Sequence, residues 1–230
     1  DVADYYPELD AAVATIRADG HERIVFNAHS TGGLIGVLWL HDAPHRDVDL
    51  SAVRAVVLNS PFLDVPANWA VRALAPRPFA VLARNRPELV LQQPTRSQYQ
   101  MSIHASERGE WTFNPDWKPV TGGVVRAEWL AAAQRAIARA HAGLDLTMPV
   151  LVMCSNRTVR AREWSDELLR GDAVLNADAL ARWSTQLGRH VTCLRIVDGM
   201  HDLLLSTPPV RADVYAQLAR WLDAYGAGVS

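Results

Sequence analysis

The chain has 230 residues and carries 23 Lys+Arg against 25 Asp+Glu, a net charge of −2 with its histidines neutral. So even a balance offers no electrostatic footprint for nucleic acid or an anionic membrane surface, and 49% hydrophobic with 21% charged residues excludes disordered and fibrous classes. The longest apolar stretches, among them Gly33–Leu40, Ala55–Leu58 and Val150–Cys154, fall well short of the ~20 residues a membrane-spanning helix needs. With no secretory leader read at its start, a soluble, cytoplasmic protein is expected.

Leu9, Ala12, Val13 and Ile16 stand at helical spacing within Asp1–Asp19 and predict an amphipathic helix docked on a sheet, stopped by Gly20. Arg23–Asn27 encloses the apolar run Ile24-Val25-Phe26, a short strand that leads through Ala28-His29-Ser30-Thr31-Gly32-Gly33 into a helix over Leu34–Leu40. After a polar loop, Val53–Leu58 is almost continuously apolar, which implies burial on both faces, as in a parallel sheet flanked by helices. From Phe62 to about Leu146 the character changes. Seven of the 13 prolines fall there, with Trp69, Trp111, Trp117 and Trp129 among irregular polar segments, and the stretch reads as an inserted cap. The α/β rhythm resumes with a strand over Pro149–Ser155, a helix around Ala177–Leu187, a strand over Val191–Val197 and an amphipathic helix over Val210–Tyr225. Cys154 and Cys193 lie inside two of these strands and support neither a disulfide framework nor a zinc site.

Ala28-His29-Ser30-Thr31-Gly32 matches the nucleophile-elbow pattern G-x-S-x-G, with Ala in place of the first glycine. A serine on so sharp a strand-to-helix turn is held in a strained backbone conformation, and its neighbours two residues away must be small because the turn brings them together. The turn exposes the Ser30 hydroxyl, aims a helix N-terminus at it and lets the Thr31 backbone N–H face a developing oxyanion. The pattern alone is weak, and a Ser/Gly turn between strand and helix is the bland reading. Its context strengthens it, because the required strand precedes it and the required helix follows.

A serine nucleophile needs a base. The loop after the last strand, Asp198-Gly199-Met200-His201-Asp202, puts His201 where a general base belongs, the alternative being an ordinary turn histidine. The acid belongs after Pro149–Ser155. Asn156 is an amide and cannot stabilise an imidazolium, whereas Asp172 opens Asp172-Ala173-Val174-Leu175-Asn176, a polar-to-apolar step where a carboxylate can be buried. Asp166 and Asp178 are the alternatives, read as a solvated loop charge and a helix-surface charge. These residues imply a mechanism in which His201 deprotonates Ser30, Ser30 attacks a carbonyl carbon, and Asp172 orients the imidazole; it calls for no metal or organic cofactor.

Ala28–Gly33, Asn59-Ser60-Pro61-Phe62, Asp172–Asn176 and Asp198–Asp202 together resemble the α/β-hydrolase superfamily, in its monoglyceride lipase, lysophospholipase and serine-aminopeptidase-like branch. The resemblance implies a mostly parallel sheet flanked by helices, with a largely helical cap inserted. That divides the chain into a core segment 1–61 with the elbow, a cap 62–146 and a core segment 147–230 with the acid and histidine loops. There are two departures. The loop before Asp172 is long for the family, and only one helix precedes the nucleophile strand, where the superfamily has several strands and a loop giving the second oxyanion donor. The expectation is therefore a C-terminal part of a longer hydrolase, lacking the N-terminal strands, with an N-terminal segment of the same protein completing the sheet.

Other features weigh less. Trp111, Phe113, Trp117 and Trp129 either line an acyl pocket or form the core of the cap. Pro44 breaks the helix that would make His41 and His45 a metal pair, Asn156-Arg157-Thr158 fits a glycosylation sequon, and Arg157–Arg162 is a solvated loop or a steering patch for an anionic headgroup. The first functional reading is hydrolysis of a lipophilic ester such as a monoacylglycerol or lysophospholipid. The rivals are a peptidase or amidase with the same triad, and a non-catalytic binding fold.

Overall fold

The computed structural model describes residues 1–46, 48–65, 81, 83–114 and 116–226; Trp69 lies outside them. After a 3-10 turn come helix α1 (Tyr6–Ala18), strand β1 (Ile24–His29), helix α2 (Thr31–Asp42) and strand β2 (Val53–Asn59). The middle of the chain contributes β3 (Val90–Gln92), α3 (Gln98–Ile103), β4 (Val125–Arg126) and α4 (Ala127–His141). Strand β5 (Val150–Ser155), helix α5 (Ala177–Ser184), strand β6 (Val191–Ile196) and helix α6 (Pro208–Trp221) complete it.

Strands β1, β2, β5 and β6 form one parallel sheet in that order, with Ala28 opposite Leu58 and Val152 opposite Cys193. Side chains alternate across a strand, so an unbroken apolar run feeds two cores. Val56, Leu58, Val150, Val152 and Cys154 face α2, α4 and α5, while Ala55, Val57, Leu151, Met153 and Ile196 face α6 through Val214 and Trp221. This is why β2 and β5 read as continuously apolar rather than alternating. On the α6 side β1 is uncovered, and Val25 is 38% exposed there.

Helix α1 is tied chiefly to α2. Tyr6 and Val13 enter the larger core, Trp39 Nε1–H donates to Asp10 at 2.7 Å, and Tyr6 Oη–H donates to Asp42 at 2.9 Å. Gly20 closes α1 with φ +88°, as its position predicts. Helix α2 lies close against β1, for a Cβ on Gly36 would stand 2.3 Å from Cε1 of Phe26.

The described residues in the middle of the chain include an antiparallel β3–β4 pair and the helices α3 and α4. Ala133, Ala136, Ile137 and Ala140 of α4 belong to the core that holds the sheet, although they lie within the expected cap range of 62–146. Ala127, Leu130 and Ala131 at the other end of α4 pack instead with Ala83 and Leu91. One helix thus joins both units, and its alanine-rich face permits close approach to α2. No helix among the described residues is long and apolar enough to cross a membrane.

Candidate active site

Ser30 stands at the end of β1 with φ 52° and ψ −121°, the strained turn expected of it. Backbone bonds hold the turn in place: the Ser30 N–H donates to Asn59 O at 3.0 Å, and the N–H groups of Phe62 and Gly33 donate to Ser30 O at 2.9 and 3.0 Å. Thr31 is the first residue of α2, so its N–H has no partner within the helix and is available to an oxyanion. The crowding expected at Gly32 is absent, since a Cβ there would meet nothing within 4 Å. The close approach comes one residue later, where a Cβ on Gly33 would lie 2.8 Å from Cβ of Pro61. The β2 turn, rather than Ala28, is what passes nearest the helix start.

His201 and Asp172 come to the same sheet end from loops after β6 and β5. The β6 loop bends at Asp198, which has φ 57°, and Ser206 Oγ accepts from the Met200 N–H at 2.9 Å. Asn59 braces that loop from β2: its Nδ2–H donates to Asp202 Oδ1 at 2.8 Å and its Oδ1 accepts from the Leu203 N–H at 3.2 Å. Asn156 braces it from β5, accepting from the Asp198 N–H at 3.2 Å.

The long loop before Asp172 folds back on itself. The Asp172 N–H donates to Arg157 O at 3.0 Å and the Val159 N–H donates to Asp172 O at 2.8 Å, so the chain returns to within a pairing of the end of β5 before it presents the carboxylate. The extra residues form an excursion that closes on itself before Asp172.

His201 Nδ1–H donates to Asp172 Oδ2 at 3.0 Å, and its Nε2 stands 3.1 Å from Ser30 Oγ. Asp172 is fully buried and His201 is 3% exposed. Oδ1 of Asp172 accepts from the N–H groups of Val174 and Leu175 at 2.8 and 2.7 Å. Burial works to raise the Asp172 carboxyl, but the facing His201, its hydrogen bond and these two N–H groups outweigh it and hold the carboxyl below its ordinary value. Of the alternative acids, Asp178 pairs with Arg195 at 2.5 Å on the surface, and Asp166 opens a 3-10 turn.

Three further groups surround the imidazole. His29 lies with its ring centroid 4.9 Å from that of His201, and its Nδ1–H donates to Asn59 O at 2.9 Å. Burial and the charge of His201 push the His29 ring down to about 4. Tyr99 of α3 sets its ring edge-on to His201 at 5.3 Å, with its hydroxyl buried near the Asp202 backbone. Lys118, the one lysine of the chain, lies 5.8 Å above the Tyr99 ring. Sequence reading missed Tyr99, which no motif marks. It passed over the role of Asn59 too, although a polar residue ending an apolar strand is a usable signal.

The aromatic residues expected at an acyl pocket or cap core divide. Trp111 donates from Nε1 to Leu205 O at 3.1 Å and fastens the middle of the chain to the histidine loop, while Phe113 packs edge-on against His104 at 4.6 Å. Trp129 lies with its ring 6.1 Å from that of Phe62, and Trp117 is 87% exposed and serves neither role. Cys154 and Cys193 are free thiols. Among the described residues no group of three or more His, Cys, Asp or Glu could hold a metal ion.

The family model described as serine aminopeptidase, S33, matches residues 1–166. Among solved structures the chain is similar to a monoacylglycerol lipase of Paleococcus ferrophilus, at 17% identity and TM-score 0.60, covering 94% of this chain and 74% of that one. It is similar also to a monoglyceride lipase of Saccharomyces cerevisiae, at 12% identity and TM-score 0.59, covering 96% and 68%. These likenesses show the α/β-hydrolase fold. No curated protein has a sequence that matches the chain.

Proposed function

Because the chain belongs to the S33 serine aminopeptidase family and has the fold of the α/β hydrolases, we propose that it hydrolyses carboxylic esters of lipophilic substrates, of monoacylglycerol or lysophospholipid type, with Ser30 as nucleophile, His201 as base and Asp172 as the orienting acid. The observation that carries this reading is the unbroken run from Ser30 Oγ through both nitrogens of His201 to the buried Asp172 carboxylate, with steps of 3.1 and 3.0 Å.

In this reading the carboxylate fixes the proton on Nδ1, which leaves Nε2 free to take the Ser30 proton as Oγ attacks the ester carbonyl. Negative charge then develops on the carbonyl oxygen, where the Thr31 N–H and the start of α2 oppose it. The imidazolium passes its proton to the departing alcohol, leaving Ser30 acylated. Water activated by the same Nε2 releases the acid and restores the serine. The ester choice draws on the two lipases the fold is similar to. The family's description keeps peptide hydrolysis as the second reading, since the same triad serves both.

Labelling with a fluorophosphonate, alongside turnover of short p-nitrophenyl esters, tests the proposal. Covalent modification that disappears in Ser30→Ala, with ester turnover lost in parallel, is the expected result. An unlabelled, inert wild-type chain sinks it.

A further inference from the structure

Next to the serine-histidine-aspartate run lies a cavity of about 670 Å³. It shares walls with the site: Phe62 donates its N–H to Ser30 O, Tyr99 packs on His201, and Ala173 and Val174 directly follow Asp172. Apolar residues such as Leu168 and Val125 line it together with polar and charged ones. No acidic residue is among the described residues that line it, while two arginines at its open side, Arg160 and Arg162, are. Neither forms an ion pair among the described residues. Arg160 donates only to the neighbouring Val159 O at 3.3 Å, whereas Arg157, from the same loop, meets Glu167 at 2.7 Å.

Gln98, Tyr99 and Gln100 line the cavity as well, Tyr99 also touching His201. Gln98 Oε1 and Gln100 Oε1 are buried without a hydrogen-bond partner, and the Tyr99 hydroxyl, on a residue 7% exposed, has at most the Asp202 backbone N–H. A buried polar atom left unpaired is costly, and three residues that line this cavity carry polar side-chain atoms beneath its surface, where a small side-chain turn can offer them to an occupant that hydrogen-bonds. The pair of guanidiniums calls for an anion, because their planar forks match phosphate and carboxylate oxygens.

We propose that this cavity is the subsite for an anionic, hydroxyl-bearing headgroup of the substrate, a phosphate or carboxylate held by Arg160 and Arg162, with Tyr99, Gln98 and Gln100 meeting its hydroxyls. The inference rests on the ester-hydrolase reading and narrows it to acidic esters over neutral ones. It also disfavours a substrate with a free amino terminus, whose positive charge would face two cations and no carboxylate.

Ether analogues with no ester to cleave separate this proposal from the catalytic one. The full chain is titrated with 1-O-hexylglycerol, its 3-phosphate and 3-hexyloxy-2-hydroxypropanoate, beside Arg160→Gln/Arg162→Gln and the control Arg54→Gln/Arg220→Gln, which removes equal charge outside the cavity. The phosphate or the carboxylate is expected to bind at least about tenfold more tightly than the neutral ether at low salt, the preference falling below about threefold in the cavity variant and surviving in the control. A preference for the phosphate alone assigns phosphate as the occupant; equal gains for both anions assign any compact acid. Equal affinity for neutral and anionic ethers overturns the proposal, as does a preference that outlasts the cavity variant. Fluorophosphonate labelling of the same preparation is the separate check on Ser30: labelling without anion preference refutes the subsite alone, and preference without labelling refutes the hydrolase reading alone.

Discussion

Asp172→Asn tests the site most sharply, because the structure separates what the carboxylate does for the fold from what it does for the imidazole. Oδ1 serves the fold, accepting from the Val174 and Leu175 N–H groups, and Oδ2 serves His201. An asparagine can keep its Oδ1 on the two backbone groups, so the loop stays closed. Its Nδ2 then meets His201 Nδ1, donor against donor, and the ring escapes by moving its proton to Nε2. That tautomer cannot accept the Ser30 proton. The expected loss in kcat is on the order of 10⁴, equivalent to about 5.4 kcal/mol of transition-state stabilisation. The stability change is far smaller, about 1.5–3 kcal/mol for one hydrogen bond to a charged group. Asp172→Ala, which orphans both backbone N–H groups as well, unfolds at lower urea than the asparagine variant. The pH signature has a definite sign. The Asp172 carboxyl is lowered by folding, so its contribution is fully present above the ordinary aspartate value of about 4 and is lost as pH falls below it. Acid unfolding of Asp172→Asn is accordingly shallower. Ester turnover, urea melts and acid titrations read all three. An asparagine variant within about tenfold of wild-type kcat refutes the tautomer argument.

Other perturbations have distinct readouts. Gly36→Ala drives a methyl into the Phe26 ring, 2.3 Å away, and should cost about 1–3 kcal/mol, lowering Tm by several degrees while sparing activity per folded molecule; an unchanged Tm counts against so close a helix–strand contact. Asn59→Ala releases Asp202 and the Leu203 N–H and should lower kcat about tenfold with KM little changed, as the imidazole loses its bracing. His29 is pushed down to about 4 by burial and by His201, so the unfolded chain takes up the proton first. Wild-type stability then falls between about pH 6.5 and 4, by roughly 2 kcal/mol, and His29→Gln flattens that slope in denaturant titrations. Cys154 is fully buried and Cys193 only partly, so a native thiol assay with iodoacetamide should modify Cys193 alone, and both after denaturation; modification of Cys154 in the native state would contradict the packing of β5.

The elbow, the histidine loop and the four parallel strands were legible because each depends on neighbours in sequence. A strand, a small-residue turn and a helix over Ile24–Asp42 place Ser30 by local geometry alone. Unbroken apolar runs at β2 and β5 announce burial on two faces whatever packs there. The acid was legible in type but strained in position, because a loop that doubles back between Arg157 and Asp172 has no periodicity to declare it.

What the sequence by itself determined is therefore the class of sheet, the serine on its turn and the histidine after β6, all set by interactions among residues a few places apart. Only the tertiary structure decided that Asp172 returns to the end of β5, that α4 belongs to two cores, that Asn59 and Asn156 brace the histidine loop, and that Tyr99 packs on His201. Those relations join residues from 13 to 143 positions apart, and they arise from hydrogen bonds and packing between distant segments that no local pattern encodes.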